Sequence, residues 1–319
     1  MPNLLQLLNH IQLPSSKRYS DAENEPQAQR LFHGRGHAYK NLHHITVDWL
    51  PPVVLITLFA KEESPQIAAL SDELMQQIPT CKSIQLQHRY LLKGPIDIIR
   101  GETFTQLEVQ EGNLKFYISL GKARNTGLFL DMKNGRKWVQ QHSKNKRVLN
   151  LFAYTCGFSV TAIAGGATSV LNVDVSSATL NVGRENHRLN NQSLEKVRFE
   201  KLNIFKSFGR LKKRGPFDLL ICDPPTLQKG SVDIERDYPK IMRRLNEFMA
   251  PNATLVLCLN APELKPQFLI DHMKKLAPEY QYSEQIKAPS VFVDAQDKGL
   301  KVLVFKNSAS NLVDEKQGT

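Results

Sequence analysis

From residue 146 onward the chain alternates between short apolar runs and segments of helical periodicity. Strand-like runs occupy 147–152, 169–173, 197–202, 217–222 and 254–259, each followed by a helical pattern, while 280–286 and 300–305 follow one another without a helix. Parallel neighbours need a crossover, which a helix supplies; antiparallel neighbours do not. Five βα units and a closing pair therefore predict an α/β fold: a Rossmann-like, mostly parallel, doubly wound sheet of seven strands with an antiparallel hairpin at one edge. Ligands on such a sheet bind outside the carboxyl ends of its strands. Five short segments at those ends decide what the protein does.

The residues before this sheet follow a different pattern. Apolar runs at 53–59 and 84–86 flank a helix-like stretch, 66–78, that begins after Ser64-Pro65 with Ser64 as the expected cap. Two alternating segments, 106–110 and 115–120, separated by Glu111-Gly112-Asn113, form an expected hairpin. A small α+β domain is thus expected over 31–121, after an N-terminal segment, 1–30, that is partly disordered through its polar part from Pro14. The sheet domain is expected over 122–306, and a disordered tail over 307–319.

Composition narrows the class. With 41% hydrophobic residues among 319, the chain can bury a sizeable core. Its longest apolar run, 49–60, contains Pro51 and Pro52 and falls short of roughly 30 Å of hydrocarbon, so no membrane is expected as a partner. Four cysteines cannot build a secreted framework, and the leucines of 1–13 have neither a basic flank nor a small-residue cleavage site. A cytoplasmic setting is expected. The charge is divided unevenly: residues 1–112 carry 10 Lys/Arg against 12 Asp/Glu, and 113–319 carry 32 against 19. Concentrated positive charge serves a polyanion, because neutralising phosphates releases counterions, although solvated lysines are the alternative.

At the first strand end, Asn150-Leu-Phe-Ala-Tyr154-Thr155-Cys156-Gly157 has a single glycine, so the dinucleotide fingerprint is absent and a nicotinamide dehydrogenase is disfavoured. At the second, Asp174 can accept both hydroxyls of a ribose or cap the following helix. At the third, Asn203 can meet an adenine edge or cap a helix. At the fourth, Asp223-Pro224-Pro225-Thr226 places a carboxylate beside two residues without N–H donors, whose stiffened carbonyls suit an aromatic base held still. At the fifth, Asn260 is better placed to touch a substrate than Cys258, which sits inside an apolar run as a small hydrophobe does. The histidines His33, His37, His43 and His44 lack supporting Cys or acid spacing, so no metal is assigned.

Asn150–Phe158, Asp174 and Asp223-Pro224-Pro225-Thr226, with Thr126-Gly127-Leu128-Phe129-Leu130-Asp131 and Arg136 upstream, resemble the class I S-adenosylmethionine-dependent methyltransferases. Within them the likeness is to bacterial enzymes that methylate 23S ribosomal RNA bases to 5-methylcytosine or 7-methylguanine, and it covers about residues 84–306. The resemblance implies that Phe129, Asp131 and Arg136 line the methionine end of the cofactor, S-adenosylmethionine. It implies further that Tyr154, Thr155 and Gly157 pass beneath the cofactor, Asp174 holds the ribose, Asn203 the adenine, and Asp223 to Thr226 border cofactor and target base. Three positions depart from the family: Cys156 replaces a glycine and is expected to narrow the loop, Asn203 replaces an acid, and Lys133 an arginine.

The 5-methylcytosine members carry a cysteine where this chain has Asn260. Pyrimidine C5 needs a thiolate to add to the ring, so methylation of a ring nitrogen such as guanine N7 is the expected chemistry, with Asp223, Pro224 and Asn260 as the substrate-side residues. The expected RNA-binding residues are the basic ones of 196–214 and 236–244, with Lys240, Arg243 and Arg244 on one helical face. Two alternatives remain open. One is a non-catalytic RNA-binding protein that retains the fold. The other is a methyltransferase acting on a small molecule or on DNA, the DNA option being weakened because Thr226 cannot stack on a flipped base.

Overall fold

The computed structural model describes residues 4–14, 26–225 and 232–307. Contacts divide the chain into two compact units, Met1–Lys133 with Pro289–Asp297, and Asn134–Ala288 with Lys298–Thr319.

The first unit is built on a five-stranded sheet: β1 (Gln29–His33), β2 (Ile45–Leu50), β3 (Val53–Leu58), β4 (Ser83–His88) and β5 (Ile96–Gly101), in that spatial order. Only β3 and β4 are parallel, and α1 (Ser64–Gln77) is the crossover between them. The residue before α1's first turn is Glu63, whose side chain makes no capping bond, so Ser64 lies one position inside the expected boundary. Ile45, Val47 and Trp49 of β2, Val54, Ile56 and Leu58 of β3, and Ile84 and Leu86 of β4 pack with Ile67, Leu70 and Leu74 of α1. Because side chains alternate across a strand, Thr46, Asp48, Thr57, Ser83, Gln85 and Gln87 occupy the opposite face, and they are buried too. A two-stranded hairpin, β6 (Gln106–Glu111) and β7 (Leu114–Ser119), turns at Gly112, φ +63°, as its spacing predicts.

This unit corrects the expected boundaries. Leu4 and Leu7, on a 3-10 turn at Leu4–His10, are fully buried in its core, so the described part of the N-terminal segment belongs to the fold. Arg30 likewise lies on β1. Residues 122–133 also join the unit, through Ser119 N–H to Thr126 O (2.7 Å) and the buried Leu128, Leu130 and Met132. Residues 289–297, remote in sequence, are held by Ala295 N–H to Gly36 O (2.8 Å). The disorder expected across 15–25 and 308–319 falls outside the described residues.

The second unit takes all of α2 (Lys133–His142) except its first residue and contains the seven-stranded sheet: β8 (Arg147–Leu151), β9 (Ser169–Asp174), β10 (Val197–Lys201), β11 (Phe217–Cys222), β12 (Met249–Leu259), β13 (Tyr280–Ile286) and β14 (Lys301–Asn307). The spatial order is β10-β9-β8-β11-β12-β14-β13, with β14 antiparallel to both neighbours and the other pairs parallel. The intervening helices are α3 (Gly157–Ala164), α4 (Ser177–Leu189), α5 (Phe208–Arg214), α6 (Ile234–Met242) with α7 (Leu245–Phe248), and α8 (Pro266–Leu276). The order reverses between β8 and β11, the switch point at which such sheets bind ligands.

Inside this unit runs a buried polar chain with a single donor direction. Asn150 Nδ2 donates to Asn172 Oδ1 (2.8 Å), and Asn172 Nδ2 to Ser159 Oγ (2.9 Å). Ser159 meets His187 Nε2 (2.8 Å), His187 Nδ1 meets Gln192 Oε1 (2.7 Å), and Gln192 Nε2 donates to Val160 O (3.0 Å). Since the Gln192 amide nitrogen is engaged, its oxygen accepts from Nδ1–H, which leaves Nε2 to accept from the serine. Burial lowers the His187 pKa to about 4, so the ring is neutral.

Candidate active site

The loop after β8 is shaped by three left-handed residues in alternation, Phe152 (φ +58°), Tyr154 (φ +48°) and Cys156 (φ +62°). For residues with a Cβ each such conformation costs about 1–3 kcal/mol, and it persists where surrounding contacts over-determine it. Those contacts are present. Ala153 N–H donates to Val173 O (3.1 Å), Asn186 Nδ2 donates to Thr155 O (2.9 Å), and Tyr154 N–H donates to Asp174 Oδ2 (2.9 Å). The other carboxylate oxygen of Asp174 accepts from Ser176 N–H (2.8 Å). Ser176 is the cap of α4, accepting from Thr179 N–H (3.2 Å). Asp174 therefore pins the β8 loop to the end of β9, and two of its roughly four acceptor positions are left for a ligand.

Position 156 corrects an expectation. Its left-handed φ is the conformation glycine adopts without strain, which accounts for a family glycine there, yet the cysteine does not narrow the loop. Its sulfur points at α4, where a Cβ on Gly183 would stand 2.4 Å from Sγ. Cys156 is fully buried with Ala153 and Leu180, so the substitution is accommodated by the bare glycine on the neighbouring helix. Gly157 opens α3.

The remaining strand ends lie on the same carboxyl edge. Asn203 follows β10, is exposed, and caps the 3-10 turn Ile204–Lys206 by accepting from Phe205 N–H (3.0 Å). Asp223 and Pro225 are half-buried and Pro224 is buried after β11, while Thr226 lies outside the described residues. Asn260 is exposed after β12, and Cys258 is buried in the strand. Between these last two ends sits a residue the sequence reading missed. The hydroxyl of Tyr238, on α6, points at both Cys222 O (2.9 Å) and Cys258 O (2.8 Å). Burial pushes the phenol well above its usual pKa, so it remains a donor. The only signal in the sequence was an aromatic on the apolar face of a short helix.

Arg136 lies on α2 and is 3% exposed. Phe129 and Asp131 belong to the first unit, where they line a cavity of about 180 Å³. The residues named from the sequence are thus distributed over both units, with those from Tyr154 to Asn260 gathered on one sheet edge.

The basic stretches are partly neutralised. Arg210 and Arg214 reach Glu200 at 2.9 and 2.8 Å, and Arg236 and Lys240 reach Asp237 at 3.0 and 2.7 Å. These contacts hold the Asp237 carboxyl far below the usual carboxylate range. The single helical face expected for Lys240, Arg243 and Arg244 does not form, because α6 ends at Met242 and both arginines occupy the turn before α7. Lys196, Arg198, Lys201, Lys206, Lys212 and Lys213 are exposed and make no ion pair among the described residues.

A switch-point loop pinned by an acid on the adjacent strand defines a doubly wound α/β protein built to hold a nucleotide-like ligand. Residues 29–306 match the S-adenosylmethionine-dependent methyltransferase family, and the chain belongs to it. Ribosomal RNA large subunit methyltransferase I of Aeromonas salmonicida is 27% identical over 222 residues, 66% of this chain and 56% of that protein. Ribosomal RNA large subunit methyltransferase K/L of Pseudoalteromonas translucida is 32% identical over 197 residues, 56% of this chain and 27% of that protein. The chain thus spans about half, or less, of the length of these relatives. Among solved structures, a Streptococcus mutans chain described as a SAM-dependent methyltransferase shares the fold, with a TM-score of 0.80 and 23% identity over 96% of this chain and 82% of that one. SMU.776, solved in complex with SAH, gives the same values. Among the described residues no helix is long and apolar enough to cross a membrane.

Proposed function

We propose that this protein transfers a methyl group from S-adenosylmethionine to a base of large-subunit ribosomal RNA, and that the acceptor is a ring nitrogen such as guanine N7. The observation that carries the cofactor half is Asp174, whose carboxylate at the end of the adjacent strand β9 pins the switch-point loop after β8. In this reading Asp174 holds the ribose, Asn203 the adenine, and Tyr154, Thr155 and Gly157 form the floor. Phe129, Asp131 and Arg136 serve the methionine end. When bound, the cofactor supplies an electrophilic methyl group on a sulfonium.

On the substrate side, Pro224 and Pro225 contribute no N–H groups, so the backbone beside Asp223 offers acceptors to the donor edge of a base. Asn260 adds an amide that both donates and accepts. Methylation at pyrimidine C5 requires a thiolate, and all four cysteines are buried; burial drives the Cys222 thiol far above its usual range. A ring nitrogen already carries its lone pair and needs only orientation. The relatives named as large-subunit ribosomal RNA methyltransferases support the substrate class, and the unpaired lysines of 196–213 are suited to phosphates.

Titration calorimetry with S-adenosylmethionine tests the first half: saturable heat is expected, and neither heat nor a thermal shift at millimolar ligand overturns it. Mass spectrometry of ribosomal nucleosides from a strain lacking the gene tests the second. Loss of one methylated base is expected, and an unchanged set sinks the ribosomal assignment.

A further inference from the structure

Three consecutive apolar side chains project from the turn between β4 and β5: Tyr90, Leu91 and Leu92 are 37, 46 and 90% exposed. Apolar side chains scattered singly over a surface are ordinary, whereas a contiguous group rimmed by polar ones marks a place of contact. The turn is well braced. His88 N–H donates to Pro95 O (2.9 Å), Leu91 N–H to His88 O (3.0 Å) and Gly94 N–H to Leu91 O (3.1 Å), and Lys93 and Gly94 are both left-handed, with φ of +65° and +60°. His88 also holds the aromatic ring, meeting the Tyr90 hydroxyl through Nδ1 (3.1 Å) and Asp97 Oδ2 through Nε2 (2.7 Å). Tyr90 is therefore an exposed ring held in one position.

A second segment, 121–125, is clamped to this turn. Arg89 donates to Arg124 O and to Asn125 Oδ1 (2.7 Å), and Arg124 Nη2 returns a bond to Arg89 O (2.9 Å). The buried Gln87 ties the two together as well, donating through Nε2 to both Gly94 O (3.4 Å) and Arg124 O (3.2 Å). Segments whose arginines stand 35 positions apart thus form one surface. Its charge is of one sign. Neither 88–95 nor 113–130 contains an acidic residue, and Lys93, Lys122 and Arg124 are exposed and make no ion pair among the described residues. These cations are gathered on a unit whose first 112 residues carry 10 Lys/Arg against 12 Asp/Glu. Cations beside an aromatic ring and two leucines fit single-stranded RNA: the cations follow phosphates, the ring stacks on a base, and a leucine separates neighbouring bases. Stacking gives the fixed ring a task that charge alone does not. Segment 121–125 also runs directly into Thr126–Asp131, where Phe129 and Asp131 are read above as serving the methionine end of the cofactor.

We propose that the β4–β5 turn and residues 121–125 form a docking surface for a single-stranded stretch of the substrate RNA. The proposal rests on the RNA-methylating reading above and adds to it a surface on the first unit, made of residues other than the basic ones of 196–214 and 236–244.

Lys93→Gln combined with Lys122→Gln removes two cations and spares the arginine clamp. In filter-binding titrations of the full chain with an unmodified large-subunit ribosomal RNA transcript, this variant is expected to weaken Kd fivefold or more. It should also flatten the plot of log Kd against log salt by about 1.4, since each phosphate contact on a single strand contributes about 0.7. Tyr90→Ala combined with Leu92→Ala is expected to weaken Kd by a similar factor and to keep the parent's salt slope. Both variants should retain the parent's thermal midpoint and an affinity for S-adenosylmethionine within twofold. A Kd for RNA within twofold of the parent in both variants, or an unchanged salt slope in the lysine variant, overturns the proposal. Should RNA binding stay unchanged while the tyrosine–leucine variant loses attachment to phosphatidylglycerol vesicles, or dissolves a dimer of the parent, the tip belongs to a lipid surface or to a second copy instead. RNA binding requires no turnover, so a parent that binds through these residues without methylating RNA overturns the activity and leaves the surface standing. One that methylates RNA while both variants bind as the parent does overturns the surface alone.

Discussion

The two sheets place their polar chemistry differently. In the seven-stranded sheet the central strands are largely apolar runs, and the polar groups read as ligand-facing stand at the carboxyl ends: Asp174, Asp223 and Asn260. In the five-stranded sheet α1 covers one face, and polar side chains fill the other in mid-strand: Thr46, Asp48, Thr57 and Gln87. A parallel sheet exposes its chemistry where crossovers leave it, whereas a mixed sheet can expose chemistry along a face. If this division holds, substitutions at the strand ends should weigh on the cofactor, and those inside the seven-stranded sheet on stability alone.

The largest effect concerns the interior. His187 has its pKa lowered from 6.5 to about 4 in the folded state. Between those values the unfolded chain binds the extra proton, so stability is full above pH 6.5 and falls as the pH drops towards 4. The loss approaches about 3 kcal/mol. Denaturant titrations across that range should show it, and His187→Gln should flatten the slope. A slope the same in variant and parent would remove the buried chain from the account of the fold.

At a strand end, Asp174→Ala should weaken S-adenosylmethionine binding by about 1–3 kcal/mol, a rise in Kd of roughly 5- to 150-fold by calorimetry, while His187→Gln in the interior leaves Kd alone. Equal effects from the two would erase the distinction between strand end and interior.

Gly183→Ala gains about 1 kcal/mol of helix propensity but drives a methyl group into Cys156 Sγ, whose separation from it would be 2.4 Å. Overpacking costs about 1–3 kcal/mol, so the single variant should melt lower. Adding Cys156→Gly removes the sulfur and suits the left-handed φ, and the double variant should match or exceed the parent. Additive losses would show that the two positions do not share space.

The smallest effect is expected from Tyr238→Phe, which withdraws one hydroxyl from two buried carbonyls at about 1–2 kcal/mol. If that phenol holds the ends of β11 and β12 in register, kcat should fall with KM for RNA unchanged; a loss of stability alone would limit the tyrosine to packing.

Much of the second unit was legible because a buried strand between helices is a local event, an apolar run bounded by polar turns. β8, β9, β10, β11, β13 and β14 start or end within a residue or two of the runs read from the sequence. β12 extends back to Met249, since Met249 pairs with Phe217 across a register shift. The acids and amides at strand ends were found by the same boundaries. The polar row of the first unit was not, because Thr46, Thr57 and Gln87 become neighbours only through strand pairing, and the run 53–59 read as a plain apolar strand. The expected basic face around Arg243 failed for a local reason: the helix ends there, and periodicity alone does not mark where it stops.

Local periodicity and strand boundaries were enough to establish a doubly wound, mostly parallel sheet and the carboxylates at its strand ends, because each depends on residues close together along the chain. Only tertiary packing decided that the Cys156 sulfur rests on Gly183, that the Tyr238 hydroxyl spans two strand ends, and that residues 289–297 belong with the first unit. Each of these joins segments at least 16 positions apart along the chain, and a separation of that kind is settled by which surfaces close-pack, a quantity that no local pattern encodes.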